Sequence, residues 1–139
     1  MPVTALSAAD ALTEFFTRFG AGDGDALLAL FADEVDWNVP GSPAVPWTGR
    51  RATKTEVAEF FGIAAAEVER TESFTVDRVL ADGDHAVALG SFTHVIRSTG
   101  KPFSSAYALH ISVTDGLISS YHMFEDSHAA AEAFTPEGR

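Results

Sequence analysis

The chain has 139 residues, with nine Lys and Arg against 20 Asp and Glu, and therefore a formal net charge of −11. Nucleic acids and anionic membranes need basic patches, so we expect neither as a partner. Cysteine is absent and hydrophobic residues make up 46% of the chain, which excludes a disulfide framework, thiolate chemistry and extensive disorder. We expect one soluble, cytoplasmic domain over residues 1–139 without a membrane span.

Two helix signals open the chain. Ser7 begins a capping pattern, apolar residues follow at helical spacing, and Gly20 and Gly22 end the first helix. A short second helix follows, and the sequence permits either Asp23 or Asp25 as its cap.

One strand is expected before the third helix. Residues 35–39 alternate apolar and polar side chains, which places Trp37 and Val39 on the same side. A loop rich in Pro and Gly covers residues 40–49. Thr53 then begins a capping box, the pattern that starts a third helix.

The second half of the chain has the periodicity of strands. From Val68 to residue 97 the pattern predicts two long strands, and a hairpin follows them. Asp126 then precedes a short Ala-rich run and is more easily explained as a helix cap than as a catalytic group. Three helices followed mainly by antiparallel strands indicate an α+β fold, with the helices on one face of a strongly bent sheet.

The strongest local signal is the Asp-Gly pair at 115–116. A two-residue type I′ turn needs positive φ at both central positions, which Asp and Gly tolerate. The pair predicts a tight hairpin between Ser104–Val113 and Leu117–Glu125. In the resulting register His110 lies opposite Tyr121.

This register gives the hairpin two unlike faces. His110, Tyr121, Met123 and Glu125 share one face with several small residues, which is how the floor of a ligand pocket could be built. The other face is apolar and consists of Tyr107, Leu109, Ile111, Val113, Ile118 and Phe124.

Several segments resemble the nuclear transport factor 2-like, or SnoaL-like, superfamily, which includes ketosteroid isomerase. Residues 25–35 look like its helix-to-strand passage, and Trp47–Arg50 resembles the loop before its third helix. Residues 115–118 and 124–126 resemble its terminal hairpin. The resemblance covers nearly the whole chain. It implies a cone-shaped fold, in which a curved, mostly antiparallel sheet wraps around N-terminal helices and a central pocket.

The resemblance also implies a homodimer. If the helices cover the His110 face, the apolar hairpin face needs a second cover, and we expect an isologous dimer through it. The sequence alone permits the reverse arrangement. In that case the apolar face packs on the helices, and His110 and Tyr121 lie outside.

Members of this superfamily perform different reactions, so the fold does not transfer a mechanism. Along the isomerase pattern, Val39 stands at the position of the carboxylate base, Phe15 at that of the oxyanion-hole tyrosine and His110 at that of the second carboxyl. Along the epoxide hydrolase pattern, Met123 stands at the position of the water-activating aspartate. Neither mechanism is therefore expected in this chain.

We predict three catalytic candidates. His110 could serve as a general acid or base, or it could be a core histidine. Tyr121 could donate a hydrogen bond to a ligand oxygen, and Glu125 could titrate with a raised pKa or lie solvated at the pocket mouth. The side chains expected to contact the ligand are Phe15, Trp37, Val39, Trp47, Phe61, Phe92 and Met123. The histidine spacing indicates no metal site, and we expect no cofactor.

Two functions remain open. The first is an enzyme that performs acid/base chemistry of the isomerase, cyclase, dehydratase or hydrolase type on a hydrophobic small molecule that bears oxygen. The second is a non-catalytic, dimeric module that binds a ligand or a partner. They differ in whether the pocket holds an ionisable group within hydrogen-bond reach of the ligand.

Overall fold

The computed structural model describes residues 6–136 of the chain. Four helices and six strands follow one another in the order α1 Ala8–Ala21, α2 Gly24–Leu28, β1 Phe31–Val39, β2 Gly49–Thr53, α3 Lys54–Glu67, β3 Val68–Asp82, β4 His85–Ile96, β5 Pro102–Thr114, β6 Leu117–Glu125 and α4 Ser127–Ala133. None of the helices in this part of the chain is long and apolar enough to cross a membrane.

The predicted caps fix where the helices begin. The Ser7 hydroxyl accepts a hydrogen bond at the start of α1, and the Asp23 carboxylate does so for α2, which decides between the two possible caps. Thr53 forms the complete capping box of α3. Asp126 accepts a hydrogen bond from the backbone of α4, so its predicted role as a helix cap is confirmed.

The six strands form one curved, unclosed sheet in the order β2-β1-β6-β5-β4-β3. Strands β1 and β6 are parallel and all other neighbours are antiparallel, which makes the sheet mixed. Together with the four helices this is the predicted α+β cone. Strand β2 was not predicted, because its sequence Gly-Arg-Arg-Ala-Thr has no apolar alternation and it lies at the sheet edge.

The predicted hairpin forms, but its register is only partly right. Thr114 pairs with Leu117 as expected, and the next pair is also as predicted. A bulge at Ser119 then shifts every later pair by one residue, so His110 lies opposite His122. The predicted pairing of His110 with Tyr121 is wrong because the bulged residue moves Tyr121 to the other face of the sheet.

The helices cover the apolar face of the hairpin, which is the reverse of our expectation. Phe16 of α1 lies 6.5 Å from Tyr107 of β5 between ring centroids, and Phe15 lies 5.7 Å from Tyr121 of β6. We call this helix-covered side the inner face and the opposite side the outer face. The predicted dimer through the apolar face is therefore wrong in its location, since five of the six residues assigned to it are buried under the helices: Tyr107, Leu109, Ile111, Val113 and Ile118.

The core between the helices and the inner face is rich in aromatic rings. Trp37 of β1 is fully buried and contacts Phe31, Phe60 and Phe61 at centroid distances of 4.7 to 6.1 Å. Burial of large aromatic side chains supplies much of the hydrophobic stabilisation of a domain of this size.

Candidate functional site

A partly open, aromatic cavity of about 80 Å³ lies between α1, α3 and the inner face of the sheet. Eight of the ten predicted site residues line it, namely Phe15, Val39, Trp47, Phe61, Phe92, Tyr121, Met123 and Glu125. The strand residues among them meet there because alternate residues of neighbouring strands point to one face, and the helices that cover this face add Phe15 and Phe61. The bulge at Ser119 is what brings Tyr121, Met123 and Glu125 to the same face as the buried residues of β5.

Glu125 supplies the carboxyl group of this cavity. It is the last residue of β6 and pairs with Tyr107 in β5. The indole Nε1 of Trp47 donates a hydrogen bond of 2.9 Å to its Oε2 atom. Burial raises the pKa of Glu125, and the Trp47 hydrogen bond opposes this shift in part. A carboxyl with a raised pKa inside an apolar cavity can accept a proton and return it.

Tyr121 places a phenol in the same cavity. Its ring stacks on that of Trp37, with centroids 3.8 Å apart and planes inclined by 4°. Complete burial raises the pKa of Tyr121, and the nearby Glu125 charge raises it further. The hydroxyl therefore keeps its proton across the physiological range and is available as a hydrogen-bond donor.

Trp37 does not line the cavity as predicted. Its ring lies behind Tyr121, in a second layer between β1 and α3. The indole Nε1 is buried and has no hydrogen-bond partner among residues 6–136. Trp37 therefore holds the phenol ring in place and is not itself a wall of the cavity.

His110 lies on the outer face, so the prediction that it lines the cavity is wrong. Its Nε2 atom is 2.9 Å from Nδ1 of His85, and its ring is 6.4 Å from that of His122 between centroids. Burial lowers the pKa of His110, as do the neighbouring His85 and His122. The physical reason is that the helices cover the apolar face of β5, and His110 alternates with the buried residues of that strand. The bulge in β6 separates His110 from Tyr121, because it carries Tyr121 to the inner face.

His94 is the cavity histidine that sequence reasoning missed. Its Nδ1 atom lies 2.8 Å from Oγ1 of Thr71, and its ring stacks on Phe92 at a centroid distance of 4.4 Å. Burial lowers the pKa of His94 to about 4, which keeps the imidazole neutral at physiological pH. The signal that could have found it was strand alternation, because Phe92 was a predicted site residue and His94 follows two positions later.

A wider groove adjoins the cavity. It has a volume of about 410 Å³ and runs between the end of α1, α3 and the start of β3. Cavity and groove share five lining residues, namely Phe19, Phe61, Ala64, Val68 and His94. Among residues 6–136, no group of three or more histidine or carboxylate side chains is placed to hold a metal ion.

With this geometry established, comparison with known proteins gives the family. The model of the SnoaL-like domain family matches residues 12–121, which is more than half of the chain. The chain belongs to the SnoaL-like family. The match ends at Tyr121, so Glu125 lies beyond the segment that this SnoaL-like domain shares with the family model.

Similar proteins are known in sequence and in structure. The SnoaL-like domain is 29% identical over 125 residues to an uncharacterised protein of Mycobacterium tuberculosis, and the alignment covers 90% of this chain and 93% of that protein. A crystal structure of a nuclear transport factor 2-like protein from Burkholderia xenovorans has a TM-score of 0.81 at 23% identity, covering 96% of this chain and 100% of that one. A proposed isomerase from Rhodopseudomonas palustris has a TM-score of 0.77 at 21% identity, covering 94% and 97%. At these identities the two structures show the shared fold.

Proposed function

We propose that this SnoaL-like domain is an enzyme that performs acid/base chemistry on a hydrophobic small molecule bearing at least one oxygen. The reaction is of the isomerase, cyclase, dehydratase or hydrolase type. The observation that carries the proposal is the partly buried Glu125 carboxyl, whose pKa is raised inside an aromatic cavity. Perturbed carboxyl groups in apolar clefts are frequent acid/base catalysts.

Glu125 acts as the proton carrier in this proposal. Trp47 binds Oε2, while Oε1 has no hydrogen-bond partner among the described residues and can face the ligand. In its ionised form the carboxylate takes a proton from the ligand, and the resulting acid returns the proton at another atom. The raised pKa strengthens the carboxylate as a base.

Tyr121 acts as the hydrogen-bond donor. Proton removal next to a carbonyl leaves negative charge on the carbonyl oxygen, and a fixed donor lowers the energy of that charge in an apolar site. The stacked Trp37 ring holds the phenol in one orientation, so little reorganisation is needed during the reaction. The aromatic walls exclude water and bind the hydrocarbon part of the ligand.

A general probe of proton abstraction tests this proposal without knowledge of the natural substrate. In 5-nitrobenzisoxazole a base removes the ring C–H proton, the N–O bond breaks, and a coloured cyanophenolate forms. The wild-type protein should accelerate this elimination above the rate with an equal concentration of acetate. Glu125→Gln should abolish the acceleration, because the amide cannot accept the proton. Equal rates for the wild type and Glu125→Gln would contradict the role of Glu125.

The second candidate is a non-catalytic ligand-binding module. The specific observation in its favour is the Trp47–Glu125 hydrogen bond. In this alternative the carboxyl has a purely structural role, because it satisfies the indole N–H and holds the cavity wall together. Binding of the probe without any acceleration would support this alternative.

We also propose that two copies of the chain associate through the outer face of the sheet. Leu80, Leu89 and Phe124 point to this face and remain between 37% and 53% exposed. Small side chains such as Ala106 and Ala108 lie between them on β5. Apolar residues spread over a sheet surface with few charges are typical of a homodimer interface.

A further inference from the structure

The cavity around Glu125 is too small to hold a complete ligand. Its volume is about 80 Å³, whereas pockets for drug-sized ligands usually measure roughly 300–1,000 Å³. The adjoining groove, with about 410 Å³, falls within that range. A ligand that reaches Glu125 must therefore place only its narrow end in the cavity and the rest in the groove.

His94 supplies the polar side chain at the junction of these two spaces. Among the five residues that cavity and groove share, the other four are Phe19, Phe61, Ala64 and Val68, all apolar. Thr71 engages the Nδ1 atom of His94, and Phe92 fixes the ring plane. The Nε2 atom has no protein partner among residues 6–136. Its imidazole is thus oriented, half-buried and able to form one further hydrogen bond.

The sheet register sets the distance between His94 and Glu125. His94 pairs with Phe103 in β5, and Glu125 pairs with Tyr107. These partners are four residues apart on β5, which is about 13 Å along the strand at roughly 3.3 Å per residue. His94 and Glu125 also lie on the two strands that flank β5, which adds about 9.6 Å across the sheet at roughly 4.8 Å per strand. A ligand that contacts both polar groups must therefore be elongated, with the length of about two aromatic rings.

The groove also disfavours an anionic ligand. Both arginines that line it are already paired, since Arg18 contacts Glu14 at 3.1 Å and Arg70 contacts Glu72 at 3.2 Å. The net charge of −11 repels anions at long range. A neutral His94 does not attract them either.

We propose that His94 binds the ligand through Nε2, and that the ligand is an elongated, non-anionic aromatic molecule with an oxygen function near each end. One oxygen lies between Glu125 and Tyr121, and the other lies at His94. A hydroxyl suits this position, because it can donate to Nε2 or accept from it, whichever tautomer Thr71 selects. This inference rests on the proposed function, since it assigns the ligand class of the same cavity.

A matched pair of probes tests the second contact. We choose 4-hydroxybiphenyl, with a hydroxyl at one end, and 4,4′-dihydroxybiphenyl, with a hydroxyl at both ends. Titration calorimetry of the full chain should give a Kd for 4,4′-dihydroxybiphenyl that is about fivefold lower than the Kd for 4-hydroxybiphenyl. This factor is the effect of one net hydrogen bond. In His94→Phe this advantage should disappear while the affinity for 4-hydroxybiphenyl is kept.

Two further variants sharpen the test. His94→Gln retains a hydrogen-bonding side chain and should keep part of the advantage, which protects the result against a folding defect of His94→Phe. His128→Phe makes the same change at an exposed histidine of α4 and should leave both Kd values unchanged.

The outcomes separate this inference from the proposed function. If both probes bind the wild type equally well, or if His94→Phe retains the full advantage, the inference is overturned and the ligand-binding cavity stands. If neither probe binds, the hydrophobic cavity itself is contradicted, and both proposals fall.

Discussion

Trp37 and Tyr121 form a parallel stack with ring centroids 3.8 Å apart, although they come from β1 and β6. They are cross-strand partners in the parallel pair at the middle of the sheet. The stack joins the largest fully buried side chain of the core to the phenol of the cavity. The position of the candidate hydrogen-bond donor is therefore set by core packing.

The Trp37→Ala substitution should reduce the free energy of unfolding by about 3–5 kcal/mol, because it leaves a large cavity at a fully buried site. Trp37→Phe should cost much less. It retains a stacking ring and removes an indole N–H that has no partner among the described residues. Urea denaturation measures both, and equal losses for the two variants would show that the stack contributes little.

Gly90 allows β3 and β4 to approach closely beside the inner face. A Cβ atom at this position would lie 2.0 Å from the carbonyl oxygen of Thr75 and 2.8 Å from the hydroxyl of Tyr107. The backbone carbonyl cannot move away without breaking the strand pair, and that carbonyl also accepts the Tyr107 hydrogen bond. Gly90→Ala should therefore destabilise the protein by more than about 2 kcal/mol.

The control for this substitution is Gly62→Ala. Gly62 lies inside α3, and nothing is within 4 Å of an added Cβ atom. Because alanine favours the helix over glycine, this variant should be more stable than the wild type by about 0.5–1 kcal/mol. Thermal unfolding compares the two, and a tolerated Gly90→Ala would contradict the close approach.

The raised pKa of Glu125 predicts a pH-dependent stability difference. The folded state binds a proton at this carboxyl more readily than the unfolded state, so ionisation costs stability as pH rises through the raised folded pKa. Glu125→Gln should therefore be more stable than the wild type at pH 8, by a few degrees in Tm. The difference should vanish well below the ordinary pKa of 4.5. Calorimetric scans across this range check the sign, and a wild type that is the more stable protein at pH 8 would contradict it.

The lowered pKa of His94 has the opposite effect on how stability depends on pH. Between its ordinary pKa of 6.5 and the folded value of about 4, the unfolded state holds a proton that the folded state does not. Stability should fall as pH decreases through this window, by about 2–3 kcal/mol in total. His94→Phe should lose this dependence in denaturant titrations, whereas His128→Phe should keep it, because His128 is largely exposed.

Phe124 provides the test of the proposed dimer. Its side chain is 49% exposed on the outer face, so a charge there should leave the fold intact and prevent association. Light scattering should give a dimer mass for the wild type and a monomer mass for Phe124→Asp. His128→Asp on the exposed side of α4 should remain dimeric. A monomeric wild type at micromolar concentration would remove the dimer from the proposal.

The helices and their ends could be predicted from the sequence because their signals are local. Ser7, Thr53 and Asp126 cap the helices that follow them, and each cap depends on residues within one turn. The Asp-Gly turn was equally local, with Asp115 and Gly116 both at positive φ. Strand β2 has no such signal, because its pairing with β1 depends on distant residues.

The positions of the site residues could be predicted only where strand alternation continues without a bulge. Trp47 and Phe61 were placed correctly because they lie outside the hairpin, beside elements whose limits were clear. His110 was placed on the wrong face, because alternation within β5 shows which residues share a face but not which face the helices cover. Tyr121 and Glu125 nevertheless reached the cavity, because the bulge and the reversal of the hairpin faces offset each other for the residues of β6.

The bulge at Ser119 decides which alternating set of β6 side chains faces the cavity. Removing this one residue would turn the following segment over, which would bring His122 and Phe124 inward and send Tyr121 and Glu125 to the surface. A single codon deletion could thus exchange the whole chemical character of the pocket without any substitution. When homologous sequences are aligned through this strand, a gap at Ser119 therefore predicts a pocket lined by the opposite set of β6 side chains.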